Sequence, residues 1–128
     1  MENTVLVKMA KEAMENAYAP YSDFKVGAAL LCKSGKVYTG CNVENASFGA
    51  TNCAERTAVF KAVSEGEKEF LKIAIVSSSG KEISPCGICL QVLSEFMSSG
   101  EIVLEGGGKI LEYPFSDFLP RAFSRKDV

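Results

Sequence analysis

Two short segments, Cys53-Ala54-Glu55-Arg56 and Pro85-Cys86-Gly87-Ile88-Cys89, constrain this chain more than any other feature. In a reducing compartment a C-x-x-C is either half of a zinc site or a redox pair. A redox pair has no use for a third cysteine, and Cys53 offers one. Three thiolates make three ligands. A structural zinc normally closes with four, whereas a catalytic zinc keeps its fourth place for water. The chain has no histidine, which removes Ser-His-Asp and Cys-His catalysis. Acid–base chemistry near neutral pH is left to a carboxylate, a cysteine, a lysine or metal-bound water.

A reducing compartment is the expectation. The start, Met1-Glu2-Asn3-Thr4, lacks a basic region followed by an apolar block. No apolar run approaches the ~20 residues needed to cross a bilayer. The reading is therefore a cytoplasmic protein with no membrane partner. Its thiols stay reduced there, and Cys32 and Cys41, in strand-like runs, read as ordinary small apolar residues. The net charge is −2 and no basic stripe is visible, which argues against nucleic acid as a partner. The Arg121–Lys126 stretch reads as a solvated tail. A chain of 128 residues fits one domain over 1–128 and buries roughly 68% of its unfolded surface without needing a disulfide.

Helical spacing of Val5, Met9, Ala13 and Ala17 predicts a helix over Thr4–Tyr18 with Thr4 as its cap, ended by Ala19-Pro20. Val26–Cys32 and Lys36–Cys41 read as strands joined by Lys33-Ser34-Gly35 in a hairpin. Asn42–Asn52 is a polar loop. A helix follows over Cys53–Val63 and stops before Gly66. Leu71–Val76 reads as a buried strand, Pro85–Met97 as a helix, and Ile102–Leu104 as a strand before Gly106-Gly107-Gly108. The tail holds a short helical patch near Ser116–Leu119. Helices and strands in alternation point to a layered α/β domain with a mixed sheet.

The helix starts bear on the cysteines. Ser84 suits a cap and Pro85 the first helical position, so Cys86 and Cys89 share one face of the first turn. Asn52 can cap the other helix, with Glu55 as the acid of a capping box. Each helix start carries roughly half a positive charge, which favours thiolate over thiol. Zinc with three thiolates is net negative, and Arg56 stands ready to donate hydrogen bonds to the sulfurs. Glu55 is either only the capping-box acid or a carboxylate that moves protons at the open side of the metal.

The pair C-A-E and P-C-x-x-C is the three-cysteine form of the zinc deaminase signature. The chain resembles, over nearly its full length, the short, tetrameric cytidine deaminases. The matching stretches are Tyr18-Ala19-Pro20-Tyr21-Ser22, Phe24 to Ala29, Gly40 to Ser47, Asn52 to Arg56, Ser84 to Gly87, Gln91 to Phe96 and Leu119 to Phe123. The resemblance implies a three-layer α/β/α domain with a mixed five-stranded sheet. It implies one zinc per chain on Cys53, Cys86 and Cys89, with zinc-bound hydroxide as nucleophile and Glu55 as proton shuttle. The implied reaction takes a small-molecule nucleoside, cytidine or deoxycytidine, to uridine or deoxyuridine with release of ammonia, in pyrimidine salvage. Asn42 and Glu44 would bind the ribose 3′-hydroxyl, the Ala54 backbone would read the pyrimidine, and Phe24 would pack against it. Phe123 would reach a neighbouring subunit's site in a homotetramer with shared active sites. Taken alone, Phe24 and Phe123 are also compatible with ordinary core. Leu90 departs from the family's usual Arg after the last zinc cysteine, and Ile88 stands where small residues are common. Two rivals remain: another cytosine-like substrate such as blasticidin S, and a non-catalytic zinc module closed by a fourth protein ligand, for example Cys41.

Overall fold

The computed structural model describes residues 1–97 and 99–128. The apolar run read as the first strand becomes β1 (Val26–Cys32), buried at every position. It lies in a five-stranded sheet with β2 (Val37–Cys41), β3 (Phe70–Ser77), β4 (Glu101–Gly106) and β5 (Lys109–Pro114), in the order β2-β1-β3-β4-β5. β1 pairs antiparallel with both neighbours, β3 and β4 run parallel, and β5 returns antiparallel.

The two-residue period of β1 explains the layers. Ala29 and Leu31 pack with Leu6, Val7 and Ala10 of α1 (Asn3–Met14) on one face. Ala28, Leu30 and Cys32 pack on the other face with Ala58, Val59 and Ala62 of α2 (Ala54–Ser64) and Leu90 and Leu93 of α3 (Gly87–Ser94). This is the expected α/β/α sandwich. Gly40 lets α2 come close to β2, since a Cβ there would stand 2.6 Å from the Ala54 carbonyl oxygen.

Several local expectations are corrected. α1 ends at Met14, not Tyr18, because the Tyr18 backbone leaves the helix to bridge Val43. Its cap position is Glu2 rather than Thr4, and Val5 is exposed while Leu6, Val7 and Ala10 carry the buried face. α3 begins two residues later and ends three earlier than expected. β5 was not evident from the sequence pattern. It follows a two-residue loop, Gly107-Gly108, with φ of 59° and 78°, the double positive φ that a tight hairpin requires. The helical patch in the tail is a 3-10 turn over Phe115–Asp117.

One end of the sheet gathers the two cysteine segments and the stretches that carry Phe24, Asn42 and Glu44. Gly27 of β1 pairs with Cys41 and Val26 with Ser77, so the start of β1 and the ends of β2 and β3 lie side by side. The loops leading to α2 and α3 depart from that end.

Candidate active site

Cys53 and Cys86 each occupy the residue just before a helix, with extended backbone, φ −75° and −70°. Neither uses its side chain as a hydrogen-bond cap. Cys89 sits in the first turn of α3 and is fully buried. The three sulfurs lie within 4.8 Å of one another, with Cys53 Sγ and Cys86 Sγ 4.0 Å apart. Tetrahedral zinc with Zn–S bonds near 2.3 Å asks for sulfurs about 3.8 Å apart. The donor set fits zinc in chemistry and in spacing, since soft thiolates favour it over hard divalent ions. Cys41 is not part of this group among the described residues.

The capping readings for these helices are corrected. Asn52 does not cap α2. Its amide donates to Thr57 Oγ1 at 3.0 Å, and that hydroxyl is within bonding distance of the Cys41 carbonyl at 3.1 Å. The link ties the α2 start to the end of β2. Ser84 and Pro85 precede the cap position of α3 rather than filling it, because Cys86 takes that place.

Glu55 is 5% exposed, at the second helical position of α2. Burial pushes its carboxyl up to about 7; the neighbouring Cys53 adds to the rise and Arg56 opposes it. The Cys53 thiol is brought down to about 5, first by the hydrogen bond with Cys89 and also by Arg56. Cys89 is pushed up, because it supplies that hydrogen bond and is buried. Arg56 Nη2 donates to Cys53 Sγ at 3.4 Å, and this donation first of all holds the guanidinium charged. Its Nε is buried with no hydrogen-bond partner among the described residues. Leu90 points into the main apolar cluster, so residue 90 places no polar group beside the sulfurs.

Asn42, Glu44 and Phe24 form a second group at the same sheet end. Asn42 is buried; its Oδ1 accepts from Val26 N and its Nδ2 donates to Phe24 O, both at 2.8 Å. One amide hydrogen of Asn42 remains for a ligand. Glu44 is reached by three donors: Tyr21 N at 2.9 Å and Ser22 N at 3.1 Å on Oε1, and the Ser22 hydroxyl on Oε2. These bonds, the hydroxyl first, hold its carboxyl below the usual range. Sequence reading passed over Ser22. The available signal was a serine two residues before Phe24, whose N–H donates to Ser22 Oγ at 3.0 Å in a serine turn.

The bridge of Val43 to Asn52 joins this group to the cysteines, because Asn52 immediately precedes Cys53. Ala54 is buried at the first position of α2. Phe123 is not brought into this arrangement. It is 60% exposed on the tail, where its carbonyl accepts from Gln91 Nε2 at 2.9 Å. A surface depression on the tail is lined by Pro120, Arg121, Ala122 and Phe123, and none of the three cysteines lines it.

Residues 1–105 match the family model for the cytidine and deoxycytidylate deaminase zinc-binding region. The chain is 48% identical to a cytidine deaminase of Halalkalibacterium halodurans, covering 100% of this chain and 98% of that protein. It superposes on the crystal structure of cytidine deaminase from Burkholderia pseudomallei with a TM-score of 0.91 and 49% identity, covering 96% of this chain and 100% of that one. A blasticidin-S deaminase of Bacillus cereus is 29% identical over 93% of this chain and 92% of its own length.

Proposed function

The chain belongs to the zinc-dependent cytidine deaminases, and from that premise we propose that Glu55 moves the protons while it converts cytidine and deoxycytidine to uridine and deoxyuridine. Zinc is held by Cys53, Cys86 and Cys89. When bound it supplies an activated water as nucleophile for C4 of the cytosine ring. Glu55 takes one proton of that water and passes it to ring N3; it then takes the proton of the hydroxyl now on C4 and passes it to the departing amine. The C4–N4 bond breaks, ammonia leaves, and the oxygen stays on C4. The observation that carries this reading is a buried carboxylate two residues from a thiol ligand, with burial raising it to about 7. That range suits a group that must both take and give a proton near neutral pH.

Substrate placement follows from the second group. The remaining amide hydrogen of Asn42 is a donor and the Glu44 carboxylate an acceptor, the pair that a ribose 3′-hydroxyl needs. Phe24, 37% exposed at the rim, offers a flat face to the pyrimidine, and the Ala54 backbone reads its edge. The higher identity to a cytidine deaminase than to the blasticidin-S deaminase favours cytidine as substrate. Cys41 stands outside the ligand group, which weighs against a closed, non-catalytic zinc module. Phe123, exposed on the tail, completes a neighbour's site in a homotetramer. The single domain 1–128 works in the cytoplasm, where its free cysteines stay available to the metal, and its net charge of −2 suits a small-molecule substrate rather than nucleic acid. No described helix is long and apolar enough to cross a membrane.

The test is ultraviolet loss of cytidine by the protein and by Glu55→Gln, with zinc content measured in both. Glu55→Gln is expected to keep zinc and lose at least about 10²- to 10⁴-fold in turnover. Near-normal turnover in that variant excludes Glu55 as the shuttle.

A further inference from the structure

The loop between α1 and β1 contains a hydroxyl placed between two groups of the substrate reading. Ser22 Oγ donates to Glu44 Oε2 and accepts from Phe24 N at 3.0 Å. Ser22 also offers its backbone N–H to Glu44 Oε1 at 3.1 Å, beside Tyr21 N at 2.9 Å. The carboxylate is thus fixed in a plane by donors on both oxygens, and one of those donors is tied to the backbone of Phe24. The loop has its own support: Asp23 N donates to Ala19 O at 3.0 Å, and Asp23 adopts φ 56°, a left-handed conformation that Asp tolerates better than most residues. Tyr18 on the same loop bonds both ways to the strand-like segment of Asn42 and Glu44, accepting from Glu44 N at 2.8 Å and donating to Asn42 O at 3.0 Å. The turn therefore does not depend on the Ser22 hydroxyl to exist. Ser22 is exposed, so the hydroxyl is not an apolar-core group that burial alone would account for.

We propose that Ser22 is a positioning residue of the sugar subsite: its hydroxyl holds the Glu44 carboxylate turned to accept from the ribose 3′-hydroxyl and links that carboxylate to the backbone that presents Phe24. The inference rests on the reading of Glu44 as the ribose acceptor. A free carboxylate rotates about its last bond, and a bound hydroxyl has to stop that rotation at its own expense. Here the Ser22 hydroxyl and two backbone N–H groups have already stopped it. The ordered carboxylate matters only to a substrate that carries a 3′-hydroxyl, whereas a general loosening of the loop would affect every nucleoside alike.

That difference gives the experiment. Steady-state rates of the zinc-loaded full chain are measured on cytidine and on 3′-deoxycytidine for the wild type, Ser22→Ala and Ser22→Thr. The wild type is expected to prefer cytidine. Ser22→Ala is expected to lose about tenfold in kcat/KM on cytidine, mostly in KM, the size usual for one charge-assisted hydrogen bond. It is expected to lose no more than about twofold on 3′-deoxycytidine, so the preference falls by about fivefold. Ser22→Thr keeps the hydroxyl and restores the preference. Equal losses on both substrates in Ser22→Ala, or a preference that Ser22→Thr does not restore, overturn the proposal while leaving Glu44 as the acceptor. A wild type that does not distinguish the two nucleosides overturns the Glu44 reading and the proposal with it.

Discussion

The buried Glu55 carboxyl makes a claim on stability that can be read without any substrate. In the folded chain burial raises it to about 7 from an ordinary value of 4.5. A folded value above the unfolded one means that the folded protein holds the proton more tightly. The stability this provides is fully present below 4.5 and is lost as pH rises through about 7. Glu55→Gln removes the titration and keeps the shape. At about 1.36 kcal/mol for each unit of displacement, the stability of Glu55→Gln relative to wild type is expected to grow by about 2.5 kcal/mol between pH 5 and pH 8.5. Working with protein stripped of zinc by a chelator keeps metal binding out of the comparison. For a chain of this length the change corresponds to about 10 °C in relative melting temperature. The assay is urea or thermal unfolding of both proteins across that pH range, and only the change in their difference counts, since any fixed cost of the amide cancels. A difference that stays constant with pH refutes the argument, because it means that the carboxyl is solvated in the folded chain.

Two further outcomes are expected. Arg56→Gln should keep zinc and fold but lose about 10- to 100-fold in turnover, the loss shrinking as pH rises, because alkali ionises Glu55 without help from the cation; unchanged turnover near neutral pH would show the cation to be dispensable. Sedimentation at micromolar concentration should show a homotetramer, and Phe123→Ala should lower kcat/KM without changing zinc content, whereas a fully active monomer would end the shared-site reading.

What the sequence made legible follows the strength of its local signals. β1 and β3 are long apolar runs in the centre of the sheet, and their identity needs no long-range information. β5 alternates weakly, with burial only partial along its length, because an edge strand has little apolar surface to announce it; its one clear mark was Gly107-Gly108. Residue type and spacing made the three thiols legible as candidate ligands, and the resemblance to the deaminases joined them as one set. Their positions on the helices were not legible. Asn52, Ser84 and Pro85 all fit the chemistry of helix starts, yet Cys53 and Cys86 occupy those starts with their side chains turned to each other. A preference for capping residues describes helices whose first turn has only hydrogen bonds to satisfy, and here the first turns are placed by a cluster of thiols. The hold of Ser22 on Glu44 spans a separation of 22 residues, so no local pattern carries it.

The place of Leu90 turns on how the charge of the thiolates is balanced. A cation after the last zinc cysteine would be one way to offset three thiolates on a divalent ion. The structure shows why the protein does not use residue 90 in this way: Leu90 is 8% exposed and packed in the main cluster with Leu93 and Ala58, and a guanidinium there would have to be desolvated at a cost of several kcal/mol. The offset comes from elsewhere. Two helix starts meet at the sulfurs, each with about half a positive charge, and together they roughly cancel the net negative charge of zinc with three thiolates. Arg56, 3.4 Å from Cys53 Sγ, then roughly cancels Glu55 when that carboxyl is ionised. On this accounting the two roles separate: the backbone neutralises the metal cluster, and Arg56 keeps the proton carrier from adding an unpaired charge to a buried site. Arg56→Gln should then push the Glu55 carboxyl higher still, because the loss removes the cation that opposes its rise.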